Sequence, residues 1–336
     1  MEFFNGALVP GLVNAHCHLE LSYLRGKIGR GCGFAGFADA ISAVRNAAPL
    51  SLREESAAYW DARMRHDGVV AVGDICNGAS TFGLKRTSPL RYLNFIECFG
   101  LRATDFSPMR RIAEEARSSG LHASLTPHST YSLQDAPFRE TAGEGDPLSI
   151  HFMESRGEEE LFRGCGPLHD RNCRESIDID FVSYGSPARR IAGSVNPDKN
   201  ILLVHNTFAT EPDIRLIEDR FRSRVSWVLC PRSNDYIEGA RPPVGLLRRL
   251  GVRIAVGTDS LASNDSLSLL DELKMWPEVP LAERIGWATL GGARALGIES
   301  WAGSFEPGKR PGAVLVSGID CERMELRENA ASRRVV

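Results

Sequence analysis

The sequence has 336 residues, 43% of them hydrophobic, and a net charge of −3 from 40 basic and 43 acidic residues. This balance favours neither nucleic acid nor a membrane surface as a partner, so a small-molecule substrate is expected. No apolar run reaches the roughly 18 residues of a membrane span, and the N-terminus lacks the layout of a signal peptide. The eight scattered cysteines predict reduced thiols in a cytoplasmic protein. The oligomeric state is left open, a homo-oligomer included.

Eight short apolar segments are predicted to form strands. In chain order they are residues 7–13, 68–75, 93–98, 122–127, 148–152, 201–205, 225–229 and 252–259. Helical spacing marks several of the segments between them, namely residues 51–66, 108–120, 211–221 and 242–251. Because strands apolar on both faces alternate with helices, the pattern predicts an α/β fold, a closed (β/α)8 TIM-type barrel. An open doubly wound sheet is the alternative.

The segment 156–200, between the fifth and sixth predicted strands, is too long for a simple crossover and too polar for a core. We expect it to form a lid or additional helices. It is rich in arginine, and Arg163 is a candidate to bind a substrate carboxylate through its guanidinium group. A solvated helix face is the alternative interpretation of these arginines.

The first predicted strand leads into NAHCHLELS, in which two histidines stand two positions apart. On an extended strand, residues i and i+2 point to the same face, so His16 and His18 should project together. Two adjacent imidazoles suit one divalent metal. Taken alone, the pair is equally consistent with two surface or hydrogen-bonded histidines.

Further polar residues fall at the ends of later strands. His151 lies in the fifth, His205 ends the sixth, and Asp259 ends the eighth. In a barrel the carboxyl ends of all strands meet at one face, where catalytic groups converge, so this shared placement argues against isolated core histidines. The predicted ligands of one Zn²⁺ or Fe²⁺ ion, with a position left for water, are His16, His18, His151 and Asp259. His205 is then a peripheral group.

Three other residues are predicted to act on the substrate. Glu154 follows His151 by three positions, where a carboxylate could carry a proton from an activated water to the substrate. Glu97 and His128 also end strands and are predicted to contact the substrate. The alternative for these two is that they hold neighbouring loops.

The motifs PGLVNAHCHLE, HFMES, LVHNT, CPRSN and VGTDSLASND, in this order, resemble the amidohydrolase superfamily. The resemblance is to its branch of cytosine, adenosine and S-adenosylhomocysteine deaminases and related chlorohydrolases, and it covers nearly the whole chain. It implies that the metal ligands are His16, His18, His151 and Asp259. It also implies that Glu154 is the proton shuttle and that His205 polarises the attacking water. Members with two metals carry a bridging lysine where this chain reads LTPHST, so a single metal is implied.

The activity implied by the resemblance is hydrolysis of a C–NH₂ bond in a cyclic amidine, with release of ammonia. Glu154 would protonate the ring nitrogen, while Asp259 and His205 would accept the proton of the water. Within the branch, HLELSYLRGKI and NFIECFG are most similar to the aminodeoxyfutalosine deaminase group. We therefore expect an adenine nucleoside substrate of the aminodeoxyfutalosine, adenosine or S-adenosylhomocysteine type. A chlorohydrolase, a cyclic amide hydrolase and a catalytically silent metal-binding barrel are the alternatives.

The resemblance also predicts the domain organisation. The hydrolase barrel is expected over residues 8–300, and residues 1–7 and 301–336 are expected to be remnant segments of a small β-sandwich. Relatives carry strands ahead of the first barrel strand, whereas this sequence starts almost directly at GALVPG. The sandwich is therefore expected to be incomplete.

Overall fold

The computed structural model describes residues 5–320 and 322–335, and its strands form a parallel barrel and a small antiparallel sheet. The strands are β1 (Ala7–Pro10), β2 (Leu12–Cys17), β3 (Val69–Cys76), β4 (Arg91–Cys98), β5 (His122–Pro127), β6 (Leu148–Phe152), β7 (Ile201–His205), β8 (Val225–Leu229), β9 (Ile254–Val256), β10 (Ala313–Asp320) and β11 (Glu325–Arg334). Strands β2 to β5 pair in parallel order, and so do β6 to β9.

Two parallel bridges join these half-barrels into a ring. One pairs Ser129 with His151, and the other pairs Cys17 with Asp259. At the second seam the carbonyl oxygen of His16 accepts the backbone N–H groups of Thr258 (2.9 Å) and Asp259 (3.1 Å). The prediction of an eight-stranded closed barrel is therefore confirmed, and an open sheet is excluded.

Helices cover the outside of the ring. They are α1 (Gly33–Val44), α2 (Leu50–His66), α3 (Phe82–Thr87), α4 (Ser107–Ser118), α5 (Asp135–Glu144), α6 (Arg156–Phe162), α7 (Gly166–Arg174), α8 (Pro187–Ser194), α9 (Glu211–Phe221), α10 (Pro231–Glu238), α11 (Val244–Arg249), α12 (Leu269–Leu273), α13 (Leu281–Gly286) and α14 (Gly292–Ala295). The segment 156–200 contributes α6, α7 and α8, as expected. Within the described ranges, every helix is too short or too polar to span a bilayer.

The first predicted strand divides into two elements. Residues 7–10 pair antiparallel with β10, which pairs in turn with β11, whereas residues 12–17 enter the barrel. The division falls at Gly11, where a Cβ atom would lie 2.2 Å from the Pro311 carbonyl oxygen and 2.3 Å from a Val70 methyl group. Because only glycine fits this crossing, the chain passes there from one sheet to the other. The small antiparallel sheet thus combines segments from both ends of the sequence.

The barrel strands are buried on both faces, as parallel strands under helices must be. Every residue of β2, β3, β6, β7, β8 and β9 is buried. Apolar side chains on the two faces of the strands pack into a large cluster and a smaller one. Of the buried polar residues, His151, His205 and Asp259 lie at or just beyond the carboxyl ends of these strands.

Gly257 is expected to be essential for closure of the barrel at the β9–β2 seam. A Cβ atom there would lie 2.7 Å from both the Cβ and the carbonyl oxygen of His16. We predict that Gly257→Ala lowers the free energy of unfolding by about 1–3 kcal/mol, because backbone atoms must move to admit the methyl group. Urea denaturation followed by tryptophan fluorescence measures the change.

The matched control is Gly245→Ala in α11, where a Cβ atom would meet nothing within 4 Å. The free energy of unfolding of this variant is expected to equal that of the parent protein, or to exceed it by roughly 0.5–1 kcal/mol because the unfolded chain has lower backbone entropy. Equal midpoints for both variants and the parent would contradict the assignment of Gly257 as a seam residue.

Candidate active site

Three histidines and one aspartate converge at the carboxyl end of the barrel. His16 lies in β2, His18 follows it, His151 lies in β6, and Asp259 follows β9. The Nε2 atoms of His16 and His18 are 3.2 Å apart. The Oδ1 atom of Asp259 lies 3.6 Å from the former and 3.3 Å from the latter. His151 completes a group whose ligand atoms all lie within 4.8 Å of one another.

These distances agree with the spacing of the ligand atoms around a divalent cation. In a tetrahedral zinc site with bonds of about 2.1 Å, neighbouring ligand atoms stand about 3.4 Å apart. The distances from Asp259 to His16 and His18 bracket that value. Another group of possible ligands, Glu97, His128 and His151, fits less well, because Nδ1 of His151 already faces the carbonyl oxygen of His128 at 2.8 Å.

Neighbouring polar groups fix the orientation of the donors. Ser233 and Ser263 donate hydrogen bonds to Oδ2 of Asp259, at 2.5 and 3.0 Å, so its Oδ1 atom faces the histidines. The bond between Nδ1 of His151 and the His128 carbonyl turns the Nε2 atom of His151 toward the cluster. Such outer contacts hold the ligands of a metal site in one orientation.

The protonation states in the cluster suit cation binding, which requires neutral imidazoles and an ionised carboxylate. Burial lowers the pKa of His151 to about 4 and holds the pKa of His18 well below its usual value. Burial opposes ionisation of Asp259. The hydrogen bond with His16 and the surrounding imidazoles outweigh burial and hold the pKa of Asp259 well below its usual range.

Glu154 is a buried carboxylic acid at the wall of the cluster, with 5% of its surface exposed. Burial raises its pKa well above the usual value, and the carboxyl groups of Asp259 and Glu158 add to the effect. Its Oε1 atom lies 3.7 Å from Nε2 of His205. Glu154 therefore keeps its proton to a higher pH than an exposed glutamate does, and it can act as an acid.

His205 ends β7 beside the cluster and stacks on His151 with ring centroids 5.3 Å apart. The side-chain amide of Asn234 lies 3.0 Å from Nδ1 of His205. The Nε2 atom of His205 is buried and has no hydrogen-bond partner among the described residues. Burial holds the pKa of His205 well below its usual value. His205 thus presents a neutral nitrogen to the cluster.

Several site residues adopt left-handed backbone conformations. The φ angle is 48° at Met153, 80° at His205 and 57° at Asp259. Non-glycine residues avoid this region at a cost of about 1–3 kcal/mol each, and such strain concentrates at functional sites. The chain bends at these three strand ends and brings the polar side chains together.

The cluster forms the floor of a cavity of about 410 Å³. Glu97 and His128 also line it, and each has a buried atom without a hydrogen-bond partner in the described part of the chain, Oε1 of Glu97 and Nδ1 of His128. The outer wall is apolar and comes from α1, α6, α7 and the loops beside them; its main side chains are Phe34, Phe37, Ile41, Leu101, Leu161, Leu168 and Ile177.

Arg163 does not reach this cavity. It caps α6 with 59% of its side chain exposed, and it pairs with Glu159 one helical turn earlier. Arg171 lines the cavity instead, but Glu175 (3.0 Å) and Asp39 (3.3 Å) neutralise its guanidinium group. The two arginines lie on separate helices of the insert, and of these two only Arg171, on α7, lines the cavity.

A polar chain that the sequence did not indicate connects α1 to the floor. Arg45, at the end of α1, donates hydrogen bonds to Asn77 and to the buried Glu20, the latter at 3.1 Å. Asn77 in turn donates to Oε2 of Glu97 at 2.9 Å. The other oxygen of Glu97 remains free to accept a hydrogen bond from a ligand.

A buried ion pair supports the turn that carries His18. Asp74 and Lys85 are fully buried, with 2.5 Å between the carboxylate and the ammonium group. The second oxygen of Asp74 accepts the backbone N–H of Leu19 at 2.8 Å. No local sequence signal marks this pair, because its partners meet only when the barrel forms.

Comparisons with known proteins agree with this geometry. The chain is 28% identical to an adenosine deaminase of Helicobacter pylori over 329 residues, which cover 92% of this chain and 78% of that protein. The structure of H. pylori aminofutalosine deaminase with methylthio-coformycin superposes with a TM-score of 0.83 at 25% identity, covering 100% of this chain and 88% of the other. A zinc-bound adenosine deaminase of Xanthomonas campestris superposes with a TM-score of 0.75 at 26% identity, covering 98% and 77%.

The sequence profile of the Amidohydrolase family matches residues 7–331, which include every barrel strand and all four clustered donors. On this match, the chain belongs to the amidohydrolase family.

Proposed function

We propose that this protein is a metal-dependent hydrolytic deaminase that removes ammonia from a cyclic amidine, an adenine nucleoside derivative. The observation that carries the proposal is Glu154, a buried acid with a raised pKa that lies beside the cluster of His16, His18, His151 and Asp259 at the floor of the cavity. The relatives named as adenosine and aminofutalosine deaminases support it. The unpaired cysteines of the described chain support a cytoplasmic location.

One divalent cation is proposed to be held by His16, His18, His151 and Asp259. Nitrogen donors with one carboxylate suit zinc, and the zinc-bound Xanthomonas protein supports that choice over iron. When bound, the cation would supply Lewis acidity, which brings the pKa of a water molecule to about 7. His205 is left to hold and orient the attacking water through its free Nε2 atom.

The chain's own acids and bases can move the protons that deamination requires. Glu154 donates its proton to the ring nitrogen next to the amino-bearing carbon, which makes that carbon electrophilic. The oxygen of water then bonds to the carbon, and Asp259 with His205 accepts the proton that the water loses. Transfer of that proton to the amino group lets the C–N bond break, so ammonia leaves. The remaining hydroxyl proton passes to the Glu154 carboxylate, which restores the acid and leaves a ring carbonyl.

The presence of Glu154 also helps to distinguish deamination from the alternative reactions. Chlorohydrolysis releases an anion and does not need a proton on the departing atom, whereas deamination does. The structure of the chlorohydrolase of Arthrobacter aurescens shares the fold at 16% identity. Glu154 can supply the proton for the ring nitrogen, and the Asp259–His205 pair can supply the proton for the departing amine, so the presence of all three residues supports deamination over chlorohydrolysis. Release of ammonia separates deamination from cyclic amide hydrolysis and from a silent barrel.

The cavity has a polar floor and an apolar outer wall. This combination suits a nucleoside that carries an apolar 5′ substituent. The free atoms of Glu97 and His128 on the floor suit the base or the ribose hydroxyl groups. Phe34 and Leu168 belong to the apolar outer wall. The guanidinium groups of Arg171 and Arg45 also line the cavity, but they are already paired with Glu175 and Glu20. A charged tail placed there would lose hydration without gaining a free partner.

Replacing the acid should stop the reaction without disturbing the cation. We predict that Glu154→Gln lowers kcat for ammonia release about 10²–10⁴-fold, the range expected for loss of a general acid. Zinc content, measured by plasma emission, should stay equal to that of the parent protein. Glu160→Gln on α6 is the control, and activity surviving in Glu154→Gln would exclude Glu154 as the shuttle.

Because the outer wall of the cavity is apolar, the protein should prefer a substrate with an uncharged 5′ substituent. We predict that kcat/KM for 5′-methylthioadenosine exceeds that for S-adenosylhomocysteine about tenfold, because burying an uncompensated charged tail costs at least about 1.4 kcal/mol. Phe34→Ala, which opens the outer wall, should narrow this ratio. A preference for the zwitterionic substrate would show that the outer zone recognises charge.

Removing the cation should destabilise the fold as well as stop the reaction. We predict that chelation lowers the melting temperature and that one equivalent of zinc restores it, since a ligand at 100 times its Kd adds about 2.7 kcal/mol of stability. His18→Ala should abolish the restoration. If full restoration required two equivalents, the proposed single site would be wrong.

A further inference from the structure

Glu158 is a fully buried carboxyl group that lies outside the ligand cluster, with 0% of its surface exposed. It is the third residue of α6, which follows the segment that carries Glu154. Its hydrogen-bond partners are the Thr130 hydroxyl group and the backbone amide of Glu154, the backbone amide of Met153 also faces it, and no cation pairs with it in the described ranges. A buried acid without a counter-charge is costly, so its contacts need an explanation.

Capping of its own helix does not explain the position of Glu158. In a capping box, a glutamate at the third helical position accepts the backbone amide of the N-cap residue, here Ser155. The Oε2 atom of Glu158 instead accepts the amide of Glu154, one residue earlier, at 3.3 Å. Its Oε1 atom accepts the hydroxyl of Thr130, which lies after a different barrel strand.

The loop that carries Thr130, the second partner of Glu158, is held in place by a buried arginine. The carbonyl oxygen of Thr130 accepts a hydrogen bond from the buried Arg190 at 2.6 Å, and that of Leu133 accepts a second at 2.8 Å. The guanidinium of Arg190 lies between the rings of Phe181 and Phe138, at 3.9 and 4.5 Å from their centroids. The loop after β5 is therefore a fixed support against which Glu158 can hold the neighbouring loop.

We propose that Glu158 is a positioning residue, whose carboxyl group ties the Glu154 segment to the loop after β5 and so sets where the Glu154 acid stands. The inference rests on the proposed function, in which Glu154 is the proton shuttle. Met153, next to Glu154, has the strained φ of 48°, and such a conformation persists only where surrounding contacts hold it.

The test compares substitutions of Glu158 by steady-state ammonia release from 5′-methylthioadenosine. Glu158→Ala removes both bonds and is expected to lower kcat about 10²-fold, the cost of misplacing a reacting group by about 1 Å, with KM changed less than about threefold. Glu158→Gln is expected to rescue most of kcat, because its carbonyl oxygen can accept the Glu154 amide while its NH₂ group donates to Thr130. The matched control is Glu159→Ala, which removes an exposed carboxylate from the same helix.

A second measurement is independent of catalysis. Hydrogen exchange of the Glu154 amide, in zinc-loaded protein, should be at least about tenfold faster in Glu158→Ala than in the parent, because one hydrogen bond worth about 1.4 kcal/mol is lost. It should be unchanged in Glu158→Gln. Thr130→Val, which removes only the far anchor, should give a smaller increase and serves as the test if Glu158→Ala does not fold.

The outcomes separate the two proposals. If the parent protein releases no ammonia, the proposed function fails, and amide exchange alone still decides the positioning role. If the parent is active and Glu154→Gln is inactive, but Glu158→Ala keeps the parent's kcat and exchange rate, only the positioning role is overturned. Equal loss of kcat in Glu158→Ala and Glu158→Gln would also overturn it, since the charge rather than the tie would then matter.

Discussion

Two hydrogen bonds to the carbonyl oxygen of His16 are the contact on which the site depends. They come from the amides of Thr258 and Asp259, and they close the barrel between its last and first strands. The same residues that close the ring also supply the imidazole and carboxylate of the cluster. Fold and site therefore cannot be separated here: a shift of the seam moves two donors relative to each other.

In the rest of the site, hydrogen bonds and ion pairs offset the free-energy cost of burying polar groups. Asp259 is satisfied by Ser233 and Ser263, and Asp74 by Lys85 and the Leu19 amide. The Nε2 atom of His205 and the Oε1 atom of Glu97 stay without partners in the described chain. An unsatisfied buried group costs about 1–3 kcal/mol, so unpaired atoms that face the cavity are expected where a ligand completes the hydrogen bonding.

The sequence predicted those features that depend on strand periodicity. The eight strands and the gathering of His16, His18, His151 and Asp259 follow from polar residues that end apolar runs, because parallel strands end at one face. The roles of these residues remain predictions. The exact limits of the strands were less accessible: residues 252–259 contain a strand only over Ile254–Val256, since the chain bends toward Asp259.

Features that depend on tertiary contact were not predictable. Asn77, Glu158 and Ser233 look like ordinary surface residues in the sequence, and their partners are far along the chain or on another element. Arg163 is the arginine predicted from the sequence to bind substrate, but an arginine-rich segment does not reveal which of its helices faces the cavity, and Arg171 lines it instead. Packing alone supplies that information.

Closure of the barrel also sets an order of events during synthesis. The seam joins residues 244 positions apart, as in the hydrogen bond between Asn14 and Thr258, so the ring cannot close until its last strand has left the ribosome. Until then, the nascent chain displays His16 and His18 without the carboxylate of Asp259. On the proposed ligand set, such an incomplete group of donors would bind a metal weakly, and the metal would be acquired only after the chain is complete.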